Sequence, residues 1–114
     1  MKLKENNLKI VILESPLAGD IPLSVDYARE AMLDSLKRGE SPMVSHILYT
    51  QVLDDTIPEE RQLGIEAGLA WGKVAEATVV YTDRGISKGM QYGIDNAKKA
   101  GRSIEFRSIE TPRS

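Results

Sequence analysis

The stretch Leu8-Lys-Ile-Val-Ile-Leu-Glu14 runs directly into Ser15-Pro-Leu-Ala-Gly-Asp20 and then into a helical pattern. An apolar strand that ends in a small-residue, glycine-containing turn at the start of a helix is typical of α/β domains, which place backbone N–H groups beside a bound anion. Ser87-Lys-Gly-Met90 begins the last predicted helix in the same way, after a strand that ends near Thr82. Two such loops at the carboxyl ends of neighbouring parallel strands would face one crevice, where open α/β sheets bind ligands. The pattern therefore favours a nucleotide-sized ligand.

The composition limits the possible classes of protein. The chain has 114 residues, no cysteine and a formal charge of −2 at pH 7. This length is enough for one domain with its own core. The lack of thiols excludes a disulfide framework, a thiolate nucleophile and a zinc–thiolate site, and we expect neither a metal ion nor another cofactor. The acidic balance argues against general binding to nucleic acid polymers, which requires a basic face.

No segment has the character of a membrane span or a targeting signal. No apolar run approaches the roughly 20 residues that cross a bilayer. The first residues, Met1–Asn7, are polar and lead into a core strand, unlike a signal peptide. We therefore expect a cytoplasmic protein with no membrane contact.

Hydrophobic periodicity and turn residues predict four strands that alternate with three helices. The predicted strands are Leu8–Leu13, Pro42–His46, Ala77–Tyr81 and Ser103–Arg107, and the predicted helices are Pro22–Arg38, a segment from behind Asp54-Asp55-Thr56 to Lys73, and Ser87–Ala100. This order predicts a flavodoxin- or Rossmann-like three-layer α/β/α fold. Its sheet has four or five mainly parallel strands, in the order second, first, third, fourth. One domain spans residues 1–114, with loose ends over 1–7 and 110–114.

Three glycines at four-residue steps mark the second helix: Gly64, Gly68 and Gly72. Each mid-helix glycine costs roughly 0.5–1 kcal/mol relative to alanine. Such a stripe indicates the close approach of another element of the fold, which is the favoured interpretation, or of a ligand. Together with Trp71 it also offers a packing surface between subunits, and we predict a homodimer or a higher even oligomer.

Several polar residues have both a functional and a structural interpretation. His46, the only histidine, follows the second predicted strand, where α/β folds bind ligands, but a lone histidine is more often a structural hydrogen-bonding residue. The pair Asp54-Asp55 could act as an acid/base pair but is better explained as helix caps. Arg84 and Lys88 could bind phosphate or lie in solvent. Asp83 could bond a ribose hydroxyl or form a turn.

We predict one ligand pocket at the carboxyl edge of the sheet. Ser87 and the N–H groups of Gly89 and Met90 would hold a phosphate at the helix N-terminus. The predicted lining residues are Ser15, Leu17, Gly19, Asp83, Ser87, Lys88, Gly89 and Met90, with His46 at the edge.

Four segments in order are similar to the nucleoside 2-deoxyribosyltransferase-like families, which belong to the wider SLOG-type group of nucleotide-binding folds. The matching segments are Ile12–Gly19, Pro42–Leu48, Trp71–Glu76 and Asp83–Ala97, and the most similar proteins are short phage and bacterial members. The resemblance implies a small flavodoxin-like domain with a pocket for a nucleoside or nucleotide. It also implies that subunits pair, with a neighbour helping to close the pocket.

The resemblance places glycines where the related enzymes carry carboxylates. In those enzymes a Ser-x-Gly segment enters the last helix, and a glutamate one turn further in attacks or stabilises the sugar C1′. Ser87 and Gly89 match the segment, whereas the glutamate position falls on Gly93, and a second carboxylate falls on Gly68. Cleavage of a glycosidic bond needs a carboxylate to stabilise positive charge on the sugar.

The expected function is therefore nucleotide binding without turnover. One use would be a phage-type protein that sequesters an ADP-ribose-derived or cyclic nucleotide immune signal. The alternative is a nucleoside 5′-monophosphate N-glycosidase or deoxyribosyltransferase in which Glu66 or Asp95 supplies the acid. A third possibility is an oligomeric scaffold with a vestigial pocket.

Overall fold

The computed structural model of the chain describes residues 7–16 and 21–110. The strands are β1 (Lys9–Glu14), β2 (Glu40–Met43), β3 (Ala77–Tyr81) and β4 (Ser103–Arg107), and the helices are α1 (Ile21–Lys37), α2 (Ser45–Leu48), α3 (Pro58–Ala70) and α4 (Lys88–Lys99), with short 3-10 turns over Tyr49–Gln51 and Trp71–Lys73. The predicted loose ends lie almost entirely outside these residues. None of the described helices is both long and apolar enough to cross a membrane.

The four strands form one sheet in the order β2-β1-β3-β4. Every neighbouring pair is parallel. The predicted three-layer α/β/α fold and the predicted strand order are confirmed. Glycines with positive φ end α1 and α4 where the sequence indicated, at Gly39 (φ 87°) and Gly101 (φ 69°), because only a residue without a Cβ adopts this conformation at little cost.

The two faces of the sheet carry different helices. Val11 and Leu13 pack with Tyr27 and Ala31 of α1 on one face. On the other face Val80 packs against Met90 and Ile94 of α4. Since β1 pairs with β2 on one side and with β3 on the other, the strand order reverses at β1. In open α/β sheets this reversal is where ligands bind.

The second strand differs from the prediction of Pro42–His46. β2 lies earlier, at Glu40–Met43, and is followed at once by α2. The N–H groups of Ile47 and Leu48 both donate to the carbonyl of Val44 at 3.1 Å. The chain is therefore helical directly after the buried residue Val44. His46 therefore lies in a short helix instead of ending a strand.

The predicted capping of the second helix by Asp54-Asp55 is wrong. Ile57 occupies the N-cap of α3 and makes no side-chain cap bond, with Pro58 at the first helical position. Asp54 Oδ1 instead accepts bonds from the Thr56 N–H at 2.9 Å and the Thr56 hydroxyl at 2.6 Å. An aspartate that bonds the backbone two residues ahead closes a local turn, and this turn competes with capping.

A buried ion pair ties the last strand to the start of β2. The Arg107 guanidinium donates to both carboxylate oxygens of Glu40, at 2.8 and 2.6 Å, and both residues are 7% exposed. Ser35, Tyr81 and Glu105 belong to the same network. The Ser35 hydroxyl donates to Glu40 at 2.7 Å, Arg107 donates to the Tyr81 hydroxyl at 3.0 Å, and Arg107 Nε also donates to the Glu105 carboxylate. The hydrogen bonds from Arg107 hold the pKa of Glu40 below its usual value.

We expect Glu40→Ala to destabilise the domain strongly, by about 3–5 kcal/mol, because it removes the carboxylate that pairs with both terminal nitrogens of the buried Arg107 and leaves that charge only the half-exposed Glu105 as an ion-pair partner. Urea denaturation near pH 7 measures the change. Arg61→Ala is the control, since Arg61 and Asp55 form a 4.0 Å pair whose side chains are more than half exposed and such pairs contribute about 0–1 kcal/mol. Equal losses in the two variants would contradict the assignment of Glu40 and Arg107 as a structural pair.

Candidate functional site

A cavity of about 670 Å³ reaches the carboxyl ends of β1 and β2 and lies between the sheet, α3 and α4. Ile12 and Glu14 line it from the sheet, and Gly64, Ile65 and Gly68 line it from α3. The α4 side is lined by residues at helical spacing, namely Gly89, Gly93 and Asn96. The cavity therefore occupies the place where the reversal of strand order predicts a ligand site.

The structure brings most of the predicted pocket residues together. Of the nine predicted residues, six line this cavity: Ser15, His46, Ser87, Lys88, Gly89 and Met90. Leu17 and Gly19 lie outside the residues that the structure describes. Asp83 is the exception, because it does not line the cavity.

The Asp83 carboxylate forms hydrogen bonds within the chain and does not face the cavity. Its carboxylate accepts bonds from the Tyr27 hydroxyl at 2.6 Å, from the Ile109 and Glu110 N–H groups at 3.0 and 2.8 Å, and from the Ser108 hydroxyl. Burial acts to raise the pKa of Asp83, but these bonds outweigh it and hold the pKa well below its usual range. Asp83 thus fixes the segment after β4 to α1. Its predicted place in the pocket lining is wrong, and of its two interpretations the ribose contact is not supported.

Arg84, the other cation considered for phosphate, is also engaged by the fold. Its guanidinium lies 5.1 Å from the centre of the Tyr27 ring and pairs with Glu110. By contrast, Lys88 lines the cavity and forms no ion pair within the described part of the chain. Lys88 is therefore the better placed of the two for an anion.

Ser15 and His46 form a pair at the carboxyl end of β1. Ser15 Oγ and His46 Nε2 are 2.8 Å apart, and Ser15 is buried. Burial lowers the pKa of His46 to about 4, so the ring is neutral at pH 7. His46 can offer a ligand a neutral hydrogen-bonding group but not a cation.

The N-terminus of α4 is partly satisfied by its own side chains. Ser87 Oγ accepts from the Met90 N–H at 3.2 Å, and Met90 Sδ accepts from the Ser87 N–H at 3.4 Å. The Met90 N–H predicted to hold a phosphate is therefore in use as part of the helix cap. A phosphate here would have to displace Ser87 or use the remaining N–H groups.

Neither carboxylate proposed for the enzymatic alternative faces the cavity. Glu66 is exposed on the outer side of α3, in a shallow depression with Pro58 and Leu63. Asp95 is exposed on α4, where its Oδ1 accepts a bond from Gln91 at 2.9 Å. Both candidates are wrong in position, since each lies on the solvent side of its helix.

Glu14, which the sequence analysis missed, brings a carboxyl group into the cavity from the sheet, whereas the other carboxylate of the lining, Asp55, is exposed and pairs with Arg61. A Cβ built on Gly93 would lie 2.6 Å from Glu14 Cδ and closer still to one carboxyl oxygen. The side chain of Glu14 thus fills the space beside α4 that any residue other than glycine would need. The signal in the sequence is a carboxylate that ends a strand directly after four apolar residues, Ile10–Leu13.

The carboxyl group of Glu14 forms no hydrogen bond with the described part of the chain. Across residues 7–16 and 21–110 its carboxyl oxygens have no hydrogen-bond partner. Burial raises the pKa of Glu14 to about 8, against the opposing influence of the positive charge on Arg102. At pH 7 the group is therefore mainly a neutral acid, which can donate one hydrogen bond and accept another.

Arg102 supplies a second unpaired cation to the cavity lining. Its guanidinium donates to the Thr78 hydroxyl at 3.1 Å and to the Gly72 carbonyl at 3.4 Å, and within the described residues no carboxylate lies at ion-pair distance. No three histidine, aspartate or glutamate side chains in this part of the chain are grouped to hold a metal ion.

The glycine stripe of α3 contacts the same chain. A Cβ on Gly64 would lie 3.3 Å from Leu53, one on Gly68 would lie 2.6 Å from Ser45 Oγ, and one on Gly72 would meet the Arg102 guanidinium. Trp71 Nε1 donates to the Tyr49 hydroxyl at 3.0 Å. The favoured interpretation, close packing within the fold, accounts for the stripe. The oligomer stays a prediction, without the stripe as its reason.

A family model described as a domain of unknown function (DUF7768) matches residues 9–107, which is most of the chain. No curated protein matches the chain, and no solved structure matches it.

We expect Gly68→Ala to destabilise the domain by about 1–3 kcal/mol, because the new methyl group overlaps Ser45 and forces α2 outward. Gly89→Ala is the control, since the nearest atom, Ser87 Oγ, would lie 4.0 Å away, and alanine is the better helix former by about 0.5–1 kcal/mol. Thermal denaturation compares the two. A stabilised Gly68→Ala variant would show that α2 does not pack on α3 as described.

The pKa of Glu14 predicts how stability changes with pH. Between the ordinary glutamate value and about 8, the unfolded chain releases this proton and the folded chain keeps it. The free energy of unfolding therefore falls as pH rises, by at most about 1.4 kcal/mol per pH unit. His46 has the opposite effect between about 4 and its ordinary value of 6.5, so the window from pH 6.5 to 8 isolates Glu14.

Glu14→Gln should abolish this contribution, so that the variant gains stability relative to the original chain as pH rises from 6.5 to 8. Urea denaturation at several pH values measures the difference. Asp95→Asn, which alters an exposed carboxylate on α4, should follow the original chain throughout. A constant difference between Glu14→Gln and the original chain would mean that Glu14 is ionised in the folded state.

Proposed function

We propose that this chain, which belongs to the family of domains of unknown function DUF7768, binds a nucleoside or nucleotide in the cavity between the sheet, α3 and α4. The observation that carries the proposal is the position of the cavity at the reversal of strand order beside β1. Its volume of about 670 Å³ is within the usual range for sites of small ligands, roughly 300–1,000 Å³.

The lining matches the separate parts of a nucleotide. Aromatic and aliphatic side chains, including Tyr49, Tyr92 and Ile65, supply apolar surface for a base. Lys88 and Arg102 supply cations without carboxylate partners, which favours a ligand that carries phosphate. Ser15 and neutral His46 add hydrogen-bonding groups without charge.

Binding without turnover is the simplest form of this proposal. Glu66 and Asp95 lie outside the cavity, and Gly93 and Gly68 stand where the resemblance places the enzymes' carboxylates. Sequestration of an ADP-ribose-derived or cyclic nucleotide would need only tight and selective binding. The same proposal covers the sugar and the phosphates of the ligand and a second subunit that helps to close the pocket.

We expect a nucleotide to raise the melting temperature, because a ligand that binds only the folded state stabilises it by RT ln(1 + [L]/Kd), about 2.7 kcal/mol at 100 times Kd. A thermal-shift screen should compare nucleosides, nucleoside 5′-monophosphates, ADP-ribose and cyclic dinucleotides. Each hit is then recovered after denaturation and checked for intact mass.

Lys88→Gln and Lys98→Gln form a matched pair for the same screen. Both lysines are exposed on α4, but only Lys88 lines the cavity. The shift given by a phosphorylated ligand should shrink in Lys88→Gln and persist in Lys98→Gln. Equal shifts in the two variants would place the phosphate elsewhere, and no shift with any compound in the original chain would contradict nucleotide binding.

A second candidate, hydrolysis of a nucleoside 5′-monophosphate or transfer of its deoxyribosyl group, is favoured by one observation, the neutral carboxyl of Glu14 in the cavity. Glu14 would give its proton to the leaving base as the bond from C1′ to nitrogen breaks and its electron pair moves to the base. In hydrolysis a water oxygen would bond C1′, and the proton it loses would return to Glu14. In transfer a ring nitrogen of a second base would bond C1′ and return its proton to Glu14 in the same way. Steady release of free base, lost in Glu14→Gln and kept in Asp95→Asn, would establish this reaction in place of binding alone.

A further inference from the structure

We propose that the cavity binds a nucleotide with two anionic ends, a phosphate held by Lys88 and a carboxylate held by Arg102 at the opposite end of the ligand. The inference rests on the proposed nucleotide site and names the class of nucleotide that this site takes. It depends on where the two cations lie in the cavity and on which groups of the chain surround them.

Lys88 and Arg102 both line the cavity, at opposite ends of it. Lys88 is the first residue of α4, and α4 carries the chain from the carboxyl end of β3 back to the amino end of β4. The Arg102 guanidinium lies at that amino end, because it donates to the hydroxyl of Thr78, the second residue of β3, at 3.1 Å. Most of the length of α4 therefore separates the two cations.

The Glu14 carboxyl marks the middle of this distance. It lies against Gly93 of α4, and Glu14 is paired with Val80 in the sheet. Lys88 precedes Gly93 by five residues, which is about 7.5 Å along the helix. Thr78, which binds Arg102, precedes Val80 by two residues, about 7 Å along the strand in the opposite direction. One phosphate group is too small to contact cations on both sides of Glu14, so each cation needs an anion of its own.

The described part of the chain does not balance the charge of Arg102. The side chain is half-buried and lies against Gly72, where a Cβ would overlap the guanidinium. Its acceptors, the Thr78 hydroxyl and the Gly72 carbonyl, are both neutral, and no carboxylate in the described residues, Glu14 included, lies at ion-pair distance. A charge that is partly removed from water costs free energy unless an opposite charge balances it. An anion of the ligand can supply that charge from the cavity.

The two ends of α4 decide which anion lies at which cation. The N-terminal end of a helix carries partial positive charge, and the C-terminal end carries partial negative charge. Lys88 lies at the N-terminal end of α4, whereas Arg102 follows the C-terminal end. A phosphate monoester carries roughly two negative charges at pH 7, so it suits the Lys88 end. A carboxylate carries one charge and matches the planar fork of a single guanidinium, so it suits Arg102.

The test is isothermal calorimetry at pH 7 with three compounds: AMP, AMP whose N6 amino group carries a dicarboxyethyl substituent, and this second compound without its phosphate. The original chain should bind the dicarboxyethyl form of AMP about 10-fold more tightly than AMP, the gain expected from one hydrogen-bonded charge pair. This gain should disappear in Arg102→Gln. Lys88→Gln should weaken binding of the two compounds that carry phosphate and leave binding of the third unchanged.

Lys98→Gln is the control, since Lys98 is exposed on α4 and does not line the cavity, and it should leave all three affinities unchanged. The comparison of the three compounds on the original chain decides the matter even if Arg102→Gln fails to fold. Equal affinity for AMP and its dicarboxyethyl form, or equal loss of AMP affinity in Lys88→Gln and Arg102→Gln, would overturn the inference and leave nucleotide binding standing. Absence of binding by all three compounds would overturn the inference and the AMP-binding form of the proposed function together.

Discussion

The reversal of strand order at β1 is the constraint from which the rest of the molecule follows. The chain leaves β1 for β2 on one side and later returns to β3 on the other. Parallel strands are joined by right-handed crossovers, so the connection to β2 places α1 on one face and the later connections place their helices on the opposite face. The clusters around Tyr27 and around Met90 show this division. The carboxyl end of β1 is left beside the gap between α3 and α4, and Glu14 and Ser15 lie there.

Two glycines, Gly68 on α3 and Gly93 on α4, line this gap, and side chains from other elements fill the space beside them. The resemblance places carboxylates at Gly68 and Gly93, where this chain has no side chain. In the structure both spaces are taken, by Ser45 of α2 beside Gly68 and by the Glu14 carboxyl beside Gly93. A carboxyl group therefore lies next to α4, but it belongs to Glu14 at the end of β1 and not to a residue of the helix. Its environment, not its presence, becomes the decisive property of the site.

The parts of the fold that could be predicted are those set by local signals. Ala77–Tyr81 is a fully buried run in which Thr78 is the one residue that is not hydrophobic, and Gly39 and Gly101 end helices in a conformation that favours glycine. The prediction of the second strand is wrong because Glu40 and Ser41 are polar although they lie in β2, whereas Val44, the N-cap of α2, is as apolar as a strand residue. Periodicity does not separate these two structures over so few residues.

The parts of the site that could not be predicted depend on partners far away in the chain. Asp83 has the sequence context of a ligand-binding loop, yet its bonds go to residues 108–110 and to Tyr27. Glu14 and Gly93 are separated by most of the chain, and nothing near either residue indicates the other. Ser15 and His46 lie together as predicted, although His46 belongs to α2, because α2 begins just after β2 and the ends of neighbouring parallel strands lie at one edge of the sheet.

The cavity lining contains two titratable residues that are mainly neutral at pH 7, Glu14 and His46, and the cations Lys88 and Arg102. Burial leaves both Glu14 and His46 mainly neutral at pH 7, while Lys88 and Arg102 have no carboxylate partner in the described part of the chain. A chain with a formal charge of −2 thus presents a cavity that is cationic at its lining and uncharged beside β1. Such a distribution suits a ligand that joins an anionic group to a neutral polar ring, because each part meets its complement without an unpaired charge being buried.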